Sequence, residues 1–204
     1  MKFWSVLPAL SAASIAALLA LAPAMADEKA GLVAEGQGVI KRFATGLEAE
    51  LKAALQAKGA PHAISVCNER APQIAAEVSG ASGWSVGRSS HKLRNPGNAP
   101  DDFTAAALKE FLSRIEKGEK PEALAKAAIV EVDGERLFRL VKAIPTGEVC
   151  LNCHGGAEVK QPVVDRLAEL YPQDQARGFS VGDMRGVFTL SKRLEQAAGK
   201  GVNR

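Results

Sequence analysis

Apolar side chains recur at helical spacing through the first part of the chain. Between residues 39 and 58 they follow the pattern of an amphipathic helix, at Ile40, Phe43, Leu47, Leu51 and Leu55. Gly59 is expected to end this helix. A second helix is predicted from Pro61 through Cys67, and Pro72 is expected to interrupt or restart it. A long helical region therefore opens the domain.

The rest of the chain mixes strands with shorter helices. A helix capped by Asp101 or Asp102 is predicted to run to about Lys117, and another covers residues 163–171. Strands are predicted over residues 84–89, 128–132, 136–144 and 184–191. Asp133-Gly134 is a hairpin signal, so the second and third strands are expected to pair antiparallel. The pattern predicts one α+β domain, an antiparallel sheet with helices on one side.

The motif Cys150-Leu151-Asn152-Cys153-His154 carries the candidate chemistry. Cys-x-x-Cys-His is the attachment signature of c-type haem, in which the thiols form thioethers with the porphyrin and the His binds the iron. One alternative is a thioredoxin-like dithiol, which expects a βαβ context. The other is a zinc site completed by Cys67 and one further His. We predict one covalently attached haem c, with His154 as the proximal iron ligand.

The first residues predict export. Lys2 precedes an apolar stretch at residues 6–22, and Ala24-Met25-Ala26 is a small-x-small cleavage pattern. Residues 1–26 are predicted to be a signal peptide cleaved after Ala26, with an uncleaved membrane anchor as the alternative. Residues 27–204 then form a single periplasmic domain with no membrane span. Bacterial haem thioethers form on that side of the membrane, so the two predictions agree.

Charge and cysteine count narrow the function further. The formal net charge is only +3, so we expect no nucleic-acid partner. The densest basic group is Arg88, Lys92 and Arg94, which are candidates for contacts with the haem propionates or residues of a solvated loop. The chain has three cysteines, an odd number for an exported protein. With two committed to haem, Cys67 is left over.

Four motifs along the chain together resemble one known family. They are Cys67-Asn68-x-x-Ala71-Pro72, the segment from Arg88 to Pro100 with Ser90, Lys92, Arg94, Asn95, Pro96 and Asn98, the segment Gly147 to Gly155, and Gly178-x-x-x-Gly182-Asp183-x-Arg185-Gly186. Their order resembles that of the single-haem, PAS-like c-type cytochromes, long catalogued as a domain of unknown function. Members occur alone or as the extracytoplasmic sensor part of histidine kinases and chemoreceptors. The resemblance covers roughly residues 35–193.

The resemblance implies a PAS-like sheet flanked by helices, with the haem against it. It also implies an unusual pair of iron ligands, His154 on one side and Cys67 on the other. The rival candidates for the second ligand are His62, His91 and Met184. The chain shows no transmitter segment, so a sensor would need a separate redox or sensor partner protein.

Three functions remain open at this point. The first is a non-enzymatic haem protein that senses redox state or a small ligand. A thiolate ligand stabilises ferric iron and gives a low potential, and its loss on reduction would act as a switch. The second is a periplasmic electron carrier. The third is a haem peroxidase, with His91 and Arg94 on an open iron face. No catalytic motif of another class is present.

Overall fold

The computed structural model describes residues 13–195, with side chains from residue 27 onward. The helices are α1 (Ala13–Ser82), α2 (Asp102–Glu116), α3 (Glu148–His154) and α4 (Gln161–Leu170). The strands are β1 (Ser85–Ser89), β2 (Ala125–Val132), β3 (Glu135–Pro145) and β4 (Met184–Arg193). The predicted signal peptide and its cleavage after Ala26 fall outside the described side chains, as do residues 196–204 of the predicted domain. Both bounds stay predictions.

Helix α1 is interrupted at Gly59, where the sequence predicted the first helix to end, and it folds back on itself there. Gly59 is the non-helical residue within α1, at φ 77° and ψ −174°, a conformation that glycine adopts without a steric penalty. The segments before and after it lie antiparallel, since Arg70 pairs with Glu50 at 3.2 Å. The predicted interruption at Pro72 is wrong: the helix continues to Ser82. Buried residues on both sides of Pro72 hold the helical path despite the lost hydrogen bond.

The four strands form one antiparallel sheet in the order β1-β4-β3-β2. The predicted hairpin is confirmed: β2 and β3 pair throughout, and Asp133 and Gly134 both have positive φ, 52° and 78°. Strand β4 lies between β1 and β3, with Arg88 opposite Phe188 and Val141 opposite Thr189. The strands begin and end within a few residues of their predicted positions.

Helices cover both faces of the sheet, so the expectation of helices on one side is wrong. Helix α1 covers one face through a cluster that includes Val39, Ile40, Trp84, Phe138, Leu140 and Leu190. Helix α2 covers the other through Ala107, Leu108, Phe111, Val141, Ala143, Met184 and Val187. Within β3, the buried side chains of Phe138 and Leu140 face α1, and those of Val141 and Ala143 face α2. The architecture is the predicted α+β one: an antiparallel sheet flanked by helices and preceded by a long helix.

Candidate functional site

The Cys-x-x-Cys-His motif forms the short surface helix α3. This helix places Cys150 and Cys153 one turn apart on one face, and none of its residues is fully buried. The flanking strands β3 and β4 are antiparallel neighbours, so the motif does not lie in the βαβ unit that a thioredoxin-like dithiol expects. Sequence analysis missed this helix, because a segment this short shows no apolar period.

His154, the last residue of α3, is held in one orientation by the loop that precedes β4. Its Nδ1 atom donates to the carbonyl oxygen of Ala176 at 2.8 Å, and Ala176 is fully buried. The backbone N–H of Phe179 donates to the carbonyl of His154 at 3.0 Å. Because a carbonyl oxygen only accepts, the ring proton lies on Nδ1, which leaves the Nε2 lone pair to bind a metal.

The surroundings of His154 keep its imidazole neutral. Burial, together with the charges of Arg185 and Arg94, lowers the pKa of His154 to about 2. A neutral imidazole is the form that binds metal ions. The site therefore presents His154 ready for ligation over the whole physiological pH range.

Arg94 fastens the motif to the loop after α4. Its guanidinium donates to both carboxylate oxygens of Asp174, at 3.2 and 3.1 Å. It also donates to the backbone carbonyls of Cys153 at 2.6 Å and Ala176 at 3.2 Å. The ion pair is largely buried, with side-chain exposures of 13% and 8%. Asp174 and the two carbonyls use most of the N–H donors of Arg94. Its proposed contact with a haem propionate stays a prediction.

Cys67 lies on the second segment of α1, which packs against α3 and α4. Ile64, one helical turn earlier, belongs to a buried cluster with Val163 and Leu167 that Cys153 also contacts. Burial raises the pKa of the Cys67 thiol, while Arg88 and Arg94 lower it. The charge of Cys67 in turn raises the pKa of Cys153, after the larger effect of burial. The fold thus brings Cys67 to the haem motif from far along the sequence.

A hydrogen-bonded link fixes this segment of α1 over the motif. Arg166 of α4 donates to the hydroxyl oxygen of Ser65 from Nε at 3.0 Å and from Nη2 at 2.7 Å. Ser65 precedes Cys67 by two residues. The position of Cys67 therefore depends on α4, which directly follows the haem motif in the chain.

The donors fit a haem better than a metal ion held by side chains alone. Over residues 27–195, no three His, Cys, Asp or Glu side chains lie close enough together to share one metal ion. The zinc alternative built on Cys67 and the motif thiols thus finds no support in that part of the chain. Two half-buried thiols on one helix face, one fixed imidazole and one thiol on the facing helix would suit a covalently attached haem.

The rival ligands lie in positions that serve other roles. Met184 is buried in the core cluster beneath α2. The His91 ring packs against the Phe179 ring with their centroids 5.8 Å apart, and the His154 ring packs against the same phenyl ring at 6.1 Å. His62 is half-buried on α1, five residues before Cys67. Cys67 lies one helical turn after Ile64, whose buried cluster Cys153 contacts.

The basic residues singled out by sequence lie around the motif but differ in their partners. Lys92 reaches the carbonyl of Arg177 at 3.4 Å and the Phe179 ring at 4.9 Å. Arg88 contacts the Phe43 ring at 5.7 Å. Burial lowers the pKa of Arg88, while Cys67 raises it. Their proposed contacts with propionates stay predictions.

Sequence reasoning missed three residues that shape the site. Asp174 and Ala176 hold Arg94 and His154, but they lie in a loop with no motif of its own. Arg185 lies against the His154 ring, with its Nε 3.1 Å from Nδ1 and 3.2 Å from Nε2. The motif around Gly182 and Gly186 included Arg185, yet the sequence suggested only a turn there.

Comparison with known proteins identifies the family. The chain matches the family described as Tll0287-like over residues 20–192. The chain belongs to the Tll0287-like family. This confirms the resemblance that the four motifs predicted. No curated protein matches.

A solved structure shares the fold. The crystal structure of the cyanobacterial heme-protein Tll0287 superimposes with a TM-score of 0.57 at 24% identity, covering 84% of this chain and 98% of that one. The likeness supports the predicted PAS-like α+β fold. Within the described part of the chain, no helix is long and apolar enough to cross a membrane.

Proposed function

We propose that this Tll0287-like chain is an exported protein that carries one haem c. Cys150 and Cys153 form the thioethers, His154 is the proximal iron ligand, and Cys67 is the distal ligand. The observation that carries the proposal is the 2.8 Å hydrogen bond from His154 Nδ1 to the buried Ala176 carbonyl. It presents Nε2 as a metal ligand beside two half-buried thiols. The haem in the relative Tll0287 supports the choice of cofactor.

The protein side chains set the properties of the site. When bound, the haem supplies a one-electron couple and an exchangeable coordination position. His154 is held by Ala176, and the second segment of α1 holds Cys67. Burial raises the pKa of the Cys67 thiol, and the nearby cations Arg88 and Arg94 oppose that effect in part. Binding to the iron would hold this sulfur as a thiolate. An anionic sulfur ligand stabilises the ferric state, so a low midpoint potential follows.

The proposed activity is sensing of redox state or of a small ligand, without catalysis. The segment that bears Cys67 is bounded by the bend at Gly59 and joined to α4 by the bond between Arg166 and Ser65. An opening of about 170 Å³ borders this segment and is lined by Asn68 and Tyr171, among others. Loss of the Cys67 bond on reduction would then free one ligand position and relax this segment. The signal passes to a separate periplasmic partner protein.

A plain electron carrier is the second candidate, because α3 lies at the surface. No residue of α3 is buried, and Val149 beside the first motif thiol is 42% exposed. A redox partner in the periplasm would approach the cofactor there. Peroxidase activity is less favoured, since Arg94 is engaged with Asp174 and the His91 ring packs against the Phe179 ring.

Carbon monoxide binding separates the two leading functions. The full chain is expressed with its first 26 residues in a host with cytochrome c maturation, and the purified protein is reduced. A redox or ligand sensor loses Cys67 on reduction and binds carbon monoxide at once, at a rate close to that of Cys67→Ala. A plain carrier stays six-coordinate and binds it only in the Cys67→Ala variant. A protein without covalent haem contradicts both.

A further inference from the structure

Five cationic side chains surround the motif, and only one has a carboxylate partner among the described residues. The five are Arg88, Lys92, Arg94, Arg177 and Arg185. Arg94 pairs with Asp174. Lys92 and Arg177 reach backbone carbonyls at 3.3 to 3.4 Å. The site therefore carries an excess of positive charge, which an anionic occupant would balance.

Arg88 is the most isolated of the five. It lies on β1, and among residues 27–195 its guanidinium has no hydrogen-bond or ion-pair partner. The contact that it does make is with the face of the Phe43 ring, at 5.7 Å. Arg88 is half-buried, and a guanidinium that loses part of its hydration without an anionic partner is destabilised, so such arginines are normally paired. The described residues supply no anionic partner for Arg88, so a bound anion would have to provide one.

Arg185 also lacks a carboxylate. Its Nη1 donates to the Ser90 hydroxyl at 3.2 Å, and its Nε lies near both nitrogens of His154. Since the proton on Nδ1 faces Ala176, only Nε2 of the imidazole can accept from Arg185. A neutral nitrogen and a hydroxyl are weak partners for a guanidinium compared with a bidentate carboxylate.

We propose that Arg88 and Arg185 form a binding site for a pair of carboxylates, and that these are the two haem propionates. Arg88 on β1 and Arg185 on β4 come from neighbouring strands of the sheet. Two guanidiniums with no carboxylate of their own match two propionates in number and charge. The inference rests on the proposed haem function. Arg185 is a better candidate than Arg94, whose Nε and Nη2 atoms are engaged by Asp174 and the backbone.

Arg185 Nε lies 3.2 Å from His154 Nε2, the nitrogen proposed to bind the iron. A nitrogen that ligates iron has no lone pair left to accept a hydrogen bond from Arg185. A propionate would then be the stronger partner for this guanidinium. Arg185 is thus a positioning residue for the cofactor.

The test uses the full chain matured with covalent haem and three single variants, Arg185→Gln, Arg88→Gln and Arg193→Gln. Arg193 is the matched control, because it lies on the same strand as Arg185 and is 72% exposed. The propionate bending bands in resonance Raman spectra should shift in the first two variants. Their midpoint potentials should fall, because a cation near the haem favours the ferrous state. Arg185→Lys should recover much of the parent potential.

Because the haem would be attached through thioether bonds, the propionate assignment can be tested separately from the proposed function. Haem content after denaturing electrophoresis reports on covalent attachment alone. If Arg88→Gln, Arg185→Gln and their double variant keep their haem, with Raman bands and potentials equal to those of Arg193→Gln, the propionate assignment is wrong and the haem proposal stands. A parent chain without covalent haem overturns both. Circular dichroism confirms that each variant is folded.

Discussion

The Nδ1 atom of His154 donates a hydrogen bond of 2.8 Å to the carbonyl oxygen of Ala176, a residue further along the chain by 22 positions. The bond joins the end of the haem motif to the loop between α4 and β4. Asp174 in the same loop binds Arg94, which in turn binds the carbonyl of Cys153. This loop, and not the motif alone, fixes the imidazole in place.

Removing the carboxylate of Asp174 should therefore destabilise the domain. Asp174→Asn leaves the largely buried Arg94 without an anionic partner, and breaking such a pair costs about 3 to 5 kcal/mol. Urea unfolding followed by circular dichroism measures the loss. The exposed Asp165 on α4 provides the control, because Asp165→Asn should change stability by less than about 0.5 kcal/mol. Equal stabilities of the two variants would contradict the role given to Asp174.

Covalent attachment should require both motif thiols. Expressed with a cytochrome c maturation system, the parent protein should keep one haem through acid-acetone extraction and denaturing electrophoresis. The double variant Cys150→Ala, Cys153→Ala should lose the haem stain, because no thioether can form. Stoichiometric zinc in a colourless parent protein would refute the haem assignment.

The sequence predicted the sheet well because its strands carry local signals. The turn at Asp133-Gly134 needs positive φ at both residues, and asparagine, aspartate and glycine tolerate it best. The bend at Gly59 has a similar local cause. Pro72 misled the prediction, since its local preference is outweighed by the tertiary packing of α1.

The site was only partly predictable, because several of its contacts have no local signal in the sequence. Cys150, Cys153 and His154 form a contiguous motif, so their chemistry is legible in the sequence. Asp174 and Ala176 act through the loop that the fold brings back to α3, and no periodicity marks such contacts. Cys67 was drawn to attention by the odd cysteine count and by the family resemblance. Its approach to Cys153 depends on the turn at Gly59, which only the fold reveals.

Because α1 packs closely on the sheet at Gly36, the substitution Gly36→Ala should destabilise the protein. A Cβ atom at Gly36 would lie 2.7 Å from Leu140 Cδ2 and 3.3 Å from the Trp84 ring, both fully buried. Gly38 on the same helix has no atom within 4 Å of that position. Gly38→Ala should stabilise the protein by roughly 0.5 to 1 kcal/mol through helix propensity. Gly36→Ala should be less stable than Gly38→Ala by about 1 to 3 kcal/mol in urea unfolding. Equal effects would contradict the packing.

Asp101, which caps the N-terminus of α2, should raise the free energy of unfolding at neutral pH but not in acid. Burial raises the pKa of Asp101, but hydrogen bonds from Thr104 and the ion pair with Arg139 outweigh it, so the pKa lies below its usual 3.8. The contribution is therefore present above about that pH and is lost as the pH falls through the lower folded-state value. Asp101→Ala should cost about 1 kcal/mol at pH 7.

The difference in free energy of unfolding between the parent and Asp101→Ala should become smaller below pH 3.8. Urea midpoints measured over a pH series test this. A gap that stays constant into strong acid would show that the charge of Asp101 contributes nothing. Asp102→Ala is the neighbouring control, since Asp101 is the residue that caps the helix by accepting from Thr104.

Electron paramagnetic resonance of the ferric protein tests the central claim, the ligation of a covalent haem by His154 and Cys67. The parent should give a low-spin, thiolate-type spectrum and a negative midpoint potential. Cys67→Ala should keep its covalent haem, lose that spectrum and show a higher potential, because an anionic donor to ferric iron is removed. An unchanged spectrum and potential in Cys67→Ala, together with a change in Met184→Ala or His91→Ala, would contradict the account.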